Sequence, residues 1–235
     1  MSGPLGTVEV HADADAVAEV VAARIVALAG EARVGVVLAG GTTPRAIYQR
    51  LATGLRAVDA PGLHLWYGDE RMVGPTHPDS NAAMVRAAWL DPAGWPAGRD
   101  HRIEGERGAA AAAAAASAAL RAHAGDDPRL DLVLLGVGAD GHTASLFPGD
   151  DALDAPGLFV PARAGARVSA SLPLLARARR VIFVATGAGK AEVLGRLLAG
   201  GGPGRDLPAA RVARAGADAG SQVTWIIDAA AAAWP

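Results

Sequence analysis

The sequence predicts a single α/β domain over residues 1–235, a three-layer α/β/α arrangement on a mostly parallel, Rossmann-like sheet. Three observations carry that prediction. Apolar runs bounded by glycine alternate with longer segments of helical period from one end of the chain to the other, the pattern of β-α-β units. Several of those runs are apolar at every position, as strands covered by helices on both faces must be. Polar, glycine-rich segments follow the runs directly, where an open parallel sheet places its ligand sites.

The elements follow in order. Strands are expected at residues 7–10, 34–39, 63–67, 130–136, 168–171, 181–186 and 223–227. After the first, Asp13 or Asp15 caps a helix to about Ala29, with Val17, Val20, Val21, Ile25 and Leu28 on one stripe. Further helices are expected at 44–51, 81–90, 107–123 and 190–198, and residues 109–116 of the fourth are all alanine, which supplies propensity but no chemistry. Residues 91–98 and 199–204 read as loops, and 229–235 as a short terminal helix that frays. No internal repeat is present.

Composition bounds the class. Hydrophobic residues make up 51% of the 235, and 57 of them are alanine; the other 63 still suffice for one core. No 18-residue apolar stretch and no basic segment leading into an apolar run is present, so a cytoplasmic protein without membrane association is expected. The absence of cysteine excludes disulfides, thiolate nucleophiles and cysteine metal sites. A net charge of −2 and a pI near 6.3 argue against a broad nucleic-acid surface. Of the 22 basic residues 21 are arginine, which singles out Lys190.

Four segments hold the candidate chemistry. Gly40-Gly41-Thr42-Thr43-Pro44 carries a strand into a helix whose first position is proline, so it is either a phosphate cradle or an ordinary threonine-capped turn. No Walker lysine follows it. Asp69-Glu70-Arg71 offers an acid, a base and a fixed cation, or a solvated loop, and Asp79-Ser80-Asn81 contains a helix cap. Gly136-Val137-Gly138-Ala139-Asp140-Gly141-His142 places a carboxylate two residues from a histidine at the end of a buried strand. His142 suits a general base and Asp140 suits its orientation; Ser145 lacks the elbow of a serine hydrolase. Arg167 and Lys190 supply a bidentate and a point cation for an anion. His11, His64, His101 and His123 stand without polar company, and no spacing of histidines and carboxylates calls for a metal site.

Together, Gly40-Gly41-Thr42-Thr43-Pro44, Asp69-Glu70-Arg71 with His77-Pro78-Asp79-Ser80-Asn81, and the run from Gly136 through Asp140-Gly141-His142-Thr143-Ala144-Ser145-Leu146-Phe147-Pro148 resemble the 6-phosphogluconolactonase family over nearly the whole chain. Arg167 and the Thr186-Gly187-Ala188-Gly189-Lys190 element extend the likeness in the same order; Gly74 stands where that family usually has proline.

The resemblance implies hydrolysis of 6-phosphoglucono-1,5-lactone with neither metal nor redox cofactor. It implies His142 as the base on water, Arg71 as the cation near the lactone oxygens and Asp140 as the group orienting His142. Gly40, Gly41, Thr42, Thr43, Arg167 and Lys190 then hold the phosphate. The expected partner is a small phosphorylated sugar lactone, with no nucleic acid or membrane, and the chain a monomer or small homo-oligomer. Two alternatives stand beside this reading: a glucosamine-6-phosphate deaminase-like isomerase, disfavoured because residues 143–148 hold no carboxylate, and a non-catalytic sugar-phosphate-binding protein.

Overall fold

A computed structural model describes residues 2–3, 5–198 and 202–234. In chain order the strands and helices are β1 (Ser2–Gly3), β2 (Gly6–His11), α1 (Ala14–Val26), β3 (Val34–Leu38), α2 (Thr42–Gly54), β4 (Leu63–Tyr67), β5 (Asp69–Arg71), α3 (Asn81–Val85), β6 (Asp100–His101), α4 (Ala109–Ala124), β7 (Leu132–Gly136), β8 (Phe159–Ala162), β9 (Arg167–Ala170), α5 (Leu172–Ala176), β10 (Arg180–Ala185), α6 (Ala191–Leu198), α7 (Pro208–Asp218) and β11 (Gln222–Asp228).

The central sheet runs β1-β2-β11-β10-β7-β3-β4-β6 and is parallel throughout except where β1 pairs with β2. Every residue of β3 is buried, as the unbroken apolar run requires. Helices flank the sheet: α1 packs on α2, α5 packs on α7, and both α1 and α7 reach β11. The chain moves outward from β3 to β4 and then returns to lay β7 on the opposite side of β3, so the strand order reverses between β3 and β7. Loops leaving the carboxyl ends of two such strands diverge and open a crevice.

Several expectations are corrected by the structure. The strand at 168–171 exists as β9, but it belongs to a separate antiparallel sheet, β5-β9-β8, because its neighbours are the short Asp69–Arg71 strand and β8. The helix at 81–90 changes geometry midway: α3 passes into a π-helical turn, Arg86–Leu90. The first helix is capped by Asp13, which accepts from the Ala16 amide, and ends at Val26 rather than Ala29. Residues 229–232 form turns instead of a helix, with Pro235 outside the described residues. The loop expected at 199–204 lies partly outside them too, and Gly202–Asp206 forms a 3-10 helix. Three of the histidines read as lacking polar company are in fact one another's company. His64 on β4, His101 on β6 and His123 in the last turn of α4 stack together, because the pairing of β4 with β6 joins residues distant in sequence.

Candidate active site

The crevice at the β3–β7 switch point is lined by Ala39, Gly40 and Gly41 after β3, by Gly136, Val137, Gly138, His142 and Ala144 after β7, and by Asp69, Arg71, Asn81, Arg167 and Lys190. Six of the nine sequence-predicted site residues therefore converge; Asp140 stands behind His142, and Thr42 and Thr43 lie off the crevice wall.

The His142 loop is built to hold one ring. The Gly138 amide donates to the His142 carbonyl at 2.9 Å and the Gly141 amide to the Gly138 carbonyl at 3.0 Å, closing a tight turn. A Cβ on Gly138 would lie 2.0 Å from His142 Nδ1 and 2.7 Å from Asp140 Oδ1, so only glycine lets the pair close over the backbone. Asp140 Oδ1 lies 2.5 Å from His142 Nδ1 and also accepts from the His142 amide at 3.1 Å. Burial opposes ionisation of the Asp140 carboxyl, but the His142 amide and imidazole outweigh it and hold the group below its ordinary value. An ionised carboxylate only accepts, so Nδ1 carries a proton, and the neutral form of the ring has its lone pair on Nε2. Phe147 braces the ring, centroid to centroid 4.3 Å.

The segment that follows His142 is structural. Thr143 Oγ1 donates to the Gly136 carbonyl at 2.8 Å, and Thr143 and Leu146 bridge across a turn that places Ala144 at φ +48°. Ser145 is buried and donates to Asp69 Oδ2 at 2.6 Å, which ties the β7 loop to the β4–β5 junction and removes Ser145 as a nucleophile.

Glu70 does not face the cleft. It is 2% exposed, and its oxygens accept from the amides of Arg71, Asn81 and Ala82 at 2.8 Å and from Ser80 Oγ at 2.9 Å. It closes the amino end of α3 together with Ser80, which accepts from the Ala83 amide. That anchor fixes Arg71 beside it, whose Nη1 donates to the Asp79 carbonyl and whose Nε is buried without a hydrogen-bond partner. Arg167 lies directly opposite Arg71 in the β5–β9 register and 3.8 Å from Asp69 Oδ2. Burial lowers the Arg167 pKa first and Arg71 next, with Asp69 opposing them.

Lys190 ends a 3-10 turn, Ala188–Lys190, and its Nζ donates to the Val137 carbonyl at 2.8 Å, so the ammonium is held over the His142 loop. The turn is set by Asp228, whose carboxylate accepts from the Gly187 amide at 2.9 and 3.0 Å. Helix α2 begins after Gly41, which offers no side-chain cap, leaving its first amides open to an anion. Thr42 and Thr43 stand outside the lining, and the Thr43 hydroxyl is 2.8 Å from that of Thr186, joining the ends of β3 and β10.

Two polar lining residues carried no assigned site role in the sequence reading: Asp69, offered there as an acid or part of a solvated loop, and Asn81, read with a helix cap. Asn81 Nδ2 donates to the Asp69 carbonyl at 2.9 Å and to its carboxylate at 3.2 Å. A Cβ on Gly40 would fall 2.1 Å from Asn81 Oδ1, so the first glycine of the β3 loop exists to admit this side chain. The pairing of a glycine turn with an Asn just past a cap was the available signal, but it joins separate segments.

Comparison with known proteins shows the family and the fold. The family described as glucosamine-6-phosphate isomerases/6-phosphogluconolactonase matches residues 10–225. The chain is 34% identical over 201 residues to a 6-phosphogluconolactonase of Synechocystis, covering 82% of this chain and 81% of that one. It is 34% identical over 201 residues to one of Haemophilus influenzae, covering 83% and 84%. The solved 6-phosphogluconolactonase of Trypanosoma cruzi superposes with a TM-score of 0.83 at 26% identity, covering 97% and 96%. A monomeric glucosamine-6-phosphate deaminase shares the fold, with a TM-score of 0.79 at 19% identity over 97% of this chain and all of that one.

Proposed function

The chain belongs to the glucosamine-6-phosphate isomerase/6-phosphogluconolactonase family, and from that premise we propose that it is a 6-phosphogluconolactonase, the hydrolase of the oxidative pentose phosphate pathway that opens 6-phosphoglucono-1,5-lactone to 6-phosphogluconate. The observation that carries this reading is the carboxylate-held imidazole of His142 sharing one crevice with three cations, Arg71, Arg167 and Lys190.

A lactone is an activated ester and needs a positioned water, a base and a charge near the carbonyl oxygen. His142 Nε2 takes a proton from water as its oxygen attacks C1. Asp140 holds the ring and stabilises the imidazolium that forms, the role a carboxylate plays beside a catalytic histidine. Arg71 stabilises the oxyanion. Collapse of the tetrahedral intermediate breaks the bond from C1 to the ring oxygen, and the imidazolium returns its proton to that oxygen. Arg167, Lys190 and the open amides of Gly41 and the first turn of α2 take the phosphate, whose binding energy positions the lactone. A cytoplasmic enzyme acting on a small sugar phosphate, as a monomer or small homo-oligomer, is part of the same reading. Among the described residues no helix is long and apolar enough to cross a membrane.

The test is a continuous assay on freshly generated phosphogluconolactone, run beside ammonia release from glucosamine 6-phosphate. Lactone loss well above the spontaneous rate, without ammonia, is the expected result. Lactone loss at the uncatalysed rate overturns the assignment, and ammonia release replaces it with the deaminase.

A further inference from the structure

We propose that His64, His101 and His123 form a binding site for a divalent transition-metal ion of the zinc class at the β4–β6 edge of the sheet, apart from the cleft.

The three side chains come from three places: the second residue of β4, the last of β6 and the last turn of α4. One ligand nitrogen from each lies within 4.8 Å of the others. In a tetrahedral site with Zn–N bonds of ~2.1 Å, ligand nitrogens stand about 3.4 Å apart, so closure asks for ring shifts of about an ångström. His64 Nδ1 and His101 Nε2 are already 2.9 Å apart, so that one ring donates its single proton to the other. An ion between them replaces that hydrogen bond. The ring that had donated moves its proton to its other nitrogen through solvent, so each neutral ring carries one proton on the nitrogen away from the ion, and no net proton or electron is released.

The rings are set in place before any ion arrives. Trp66 stacks on His101 with centroids 4.0 Å apart and planes 10° apart, and His123 leans on His64 at 4.2 Å. All three rings are partly buried, so they are held by their neighbours and still reachable by an ion from solvent. The carboxylate next to His101 in sequence, Asp100, is engaged by Tyr67 and Arg86, which leaves a fourth position to water. Arg33 and Arg99 lie near enough to act electrostatically on the cluster, so affinity in the micromolar range is expected rather than the tighter binding of sites with thiolates or carboxylates.

The site also answers a structural need. Helix α4 buries Ala112, Ala113, Ala116, Ser117 and a single large side chain, Leu120. A metal held jointly by His123 and two strands fastens the carboxyl end of a helix that has little apolar bulk to hold it.

The experiment is calorimetric titration of untagged, chelator-stripped full-length protein with zinc chloride, with cobalt absorption as a second reading of tetrahedral geometry. One site with micromolar Kd is expected, weakened at least about tenfold in His101→Gln and in His123→Gln and retained in His142→Ala. Zinc should raise the Tm of the parent but not of His123→Gln, and lactone turnover by that variant in the absence of zinc, within about twofold of the parent, shows that it folds. Zinc affinity unchanged in both glutamine variants, loss confined to His142→Ala, or no binding up to about 1 mM by the folded parent overturns the proposal.

Discussion

Arg71 and Arg167 stand directly opposite each other across the antiparallel β5–β9 pair, both lining the cleft. Like charges in that position repel and destabilise the pair, and the carboxylate that pairs with Arg167, Asp69, is shared with Ser145 and Asn81. The arrangement becomes favourable when an anion enters between them.

Inorganic phosphate should therefore raise the Tm of the ligand-free protein, by the mass action of any ligand that binds only the folded state. Arg167→Met removes one charge-assisted contact, worth ~1.5–3 kcal/mol. That variant should raise KM for the phosphorylated lactone about 10- to 100-fold with a smaller change in kcat, and should blunt the phosphate-induced rise in Tm. Thermal melts with and without phosphate check both; an undiminished shift sinks the assignment of Arg167 to the phosphate.

The Asp140–His142 contact sets the direction of a pH experiment. Asp140 is held below the ordinary carboxylate range, so the charged acceptor that fixes the His142 tautomer persists until the pH falls below that range. Activity should fall on the acid side as this carboxylate is protonated. In Asp140→Asn the charged acceptor is gone at every pH, so that limb should vanish while kcat drops by roughly 10²–10⁴-fold, because the tautomer is no longer fixed. His142→Ala should lose a comparable factor in kcat and show no such limb. For stability the sign is the depressed-acid one: the pair contributes above the ordinary carboxylate range and its contribution is lost as pH falls through the lowered Asp140 value, and partial exposure keeps it small.

Glu70 tests the difference between a charged residue near a site and one in it. Its four accepted hydrogen bonds all serve the β5–α3 junction. Glu70→Gln turns half of that acceptor into a donor facing donors, and about 1–3 kcal/mol of stability should be lost for each buried group left unsatisfied. Chemical denaturation measures this directly. The pH profile of activity should keep the parent's shape, since no titrating group of the reaction has been changed; an altered acid limb would place Glu70 in the proton transfer.

What the sequence disclosed and what it hid divide along one physical line, that of range. Most of the parallel strands were legible because burial on both faces leaves an unbroken apolar run, as in β3 and β10, whereas β6, the polar pair Asp100–His101, was not. Strand β5 was not, since Asp69-Glu70-Arg71 carries no apolar signal and becomes a strand only through its pairing with β9. Helix α7 was also missed: its buried stripe is Ala209, Ala210, Val212, Ala213 and Gly216, too small to mark a period. Within the cleft, Asp140 and His142 were legible as neighbours in sequence, and Lys190 through its solitude among arginines. Asn81 acts on Gly40, and His64 meets His101 and His123, across separations that no local pattern encodes.

Gly138 offers the sharpest separation of site from fold. Its φ is not in the left-handed region, so alanine meets no backbone penalty there, yet the added Cβ would fall 2.0 Å from His142 Nδ1 and 2.2 Å from its Cε1. The ring is partly exposed on its cleft side and can swing away, whereas the buried turn beneath it cannot. The strain should therefore be relieved by breaking the 2.5 Å contact with Asp140 rather than by unfolding. Gly138→Ala should keep a Tm within a few degrees of the parent and lose turnover on the scale of His142→Ala, and a double variant, Gly138→Ala with His142→Ala, should be no slower than either alone, the non-additivity of residues that act as one unit. Full activity in the single variant would show that the imidazole does not need its carboxylate; multiplicative losses in the double would show that Gly138 acts on the reaction by some route other than His142.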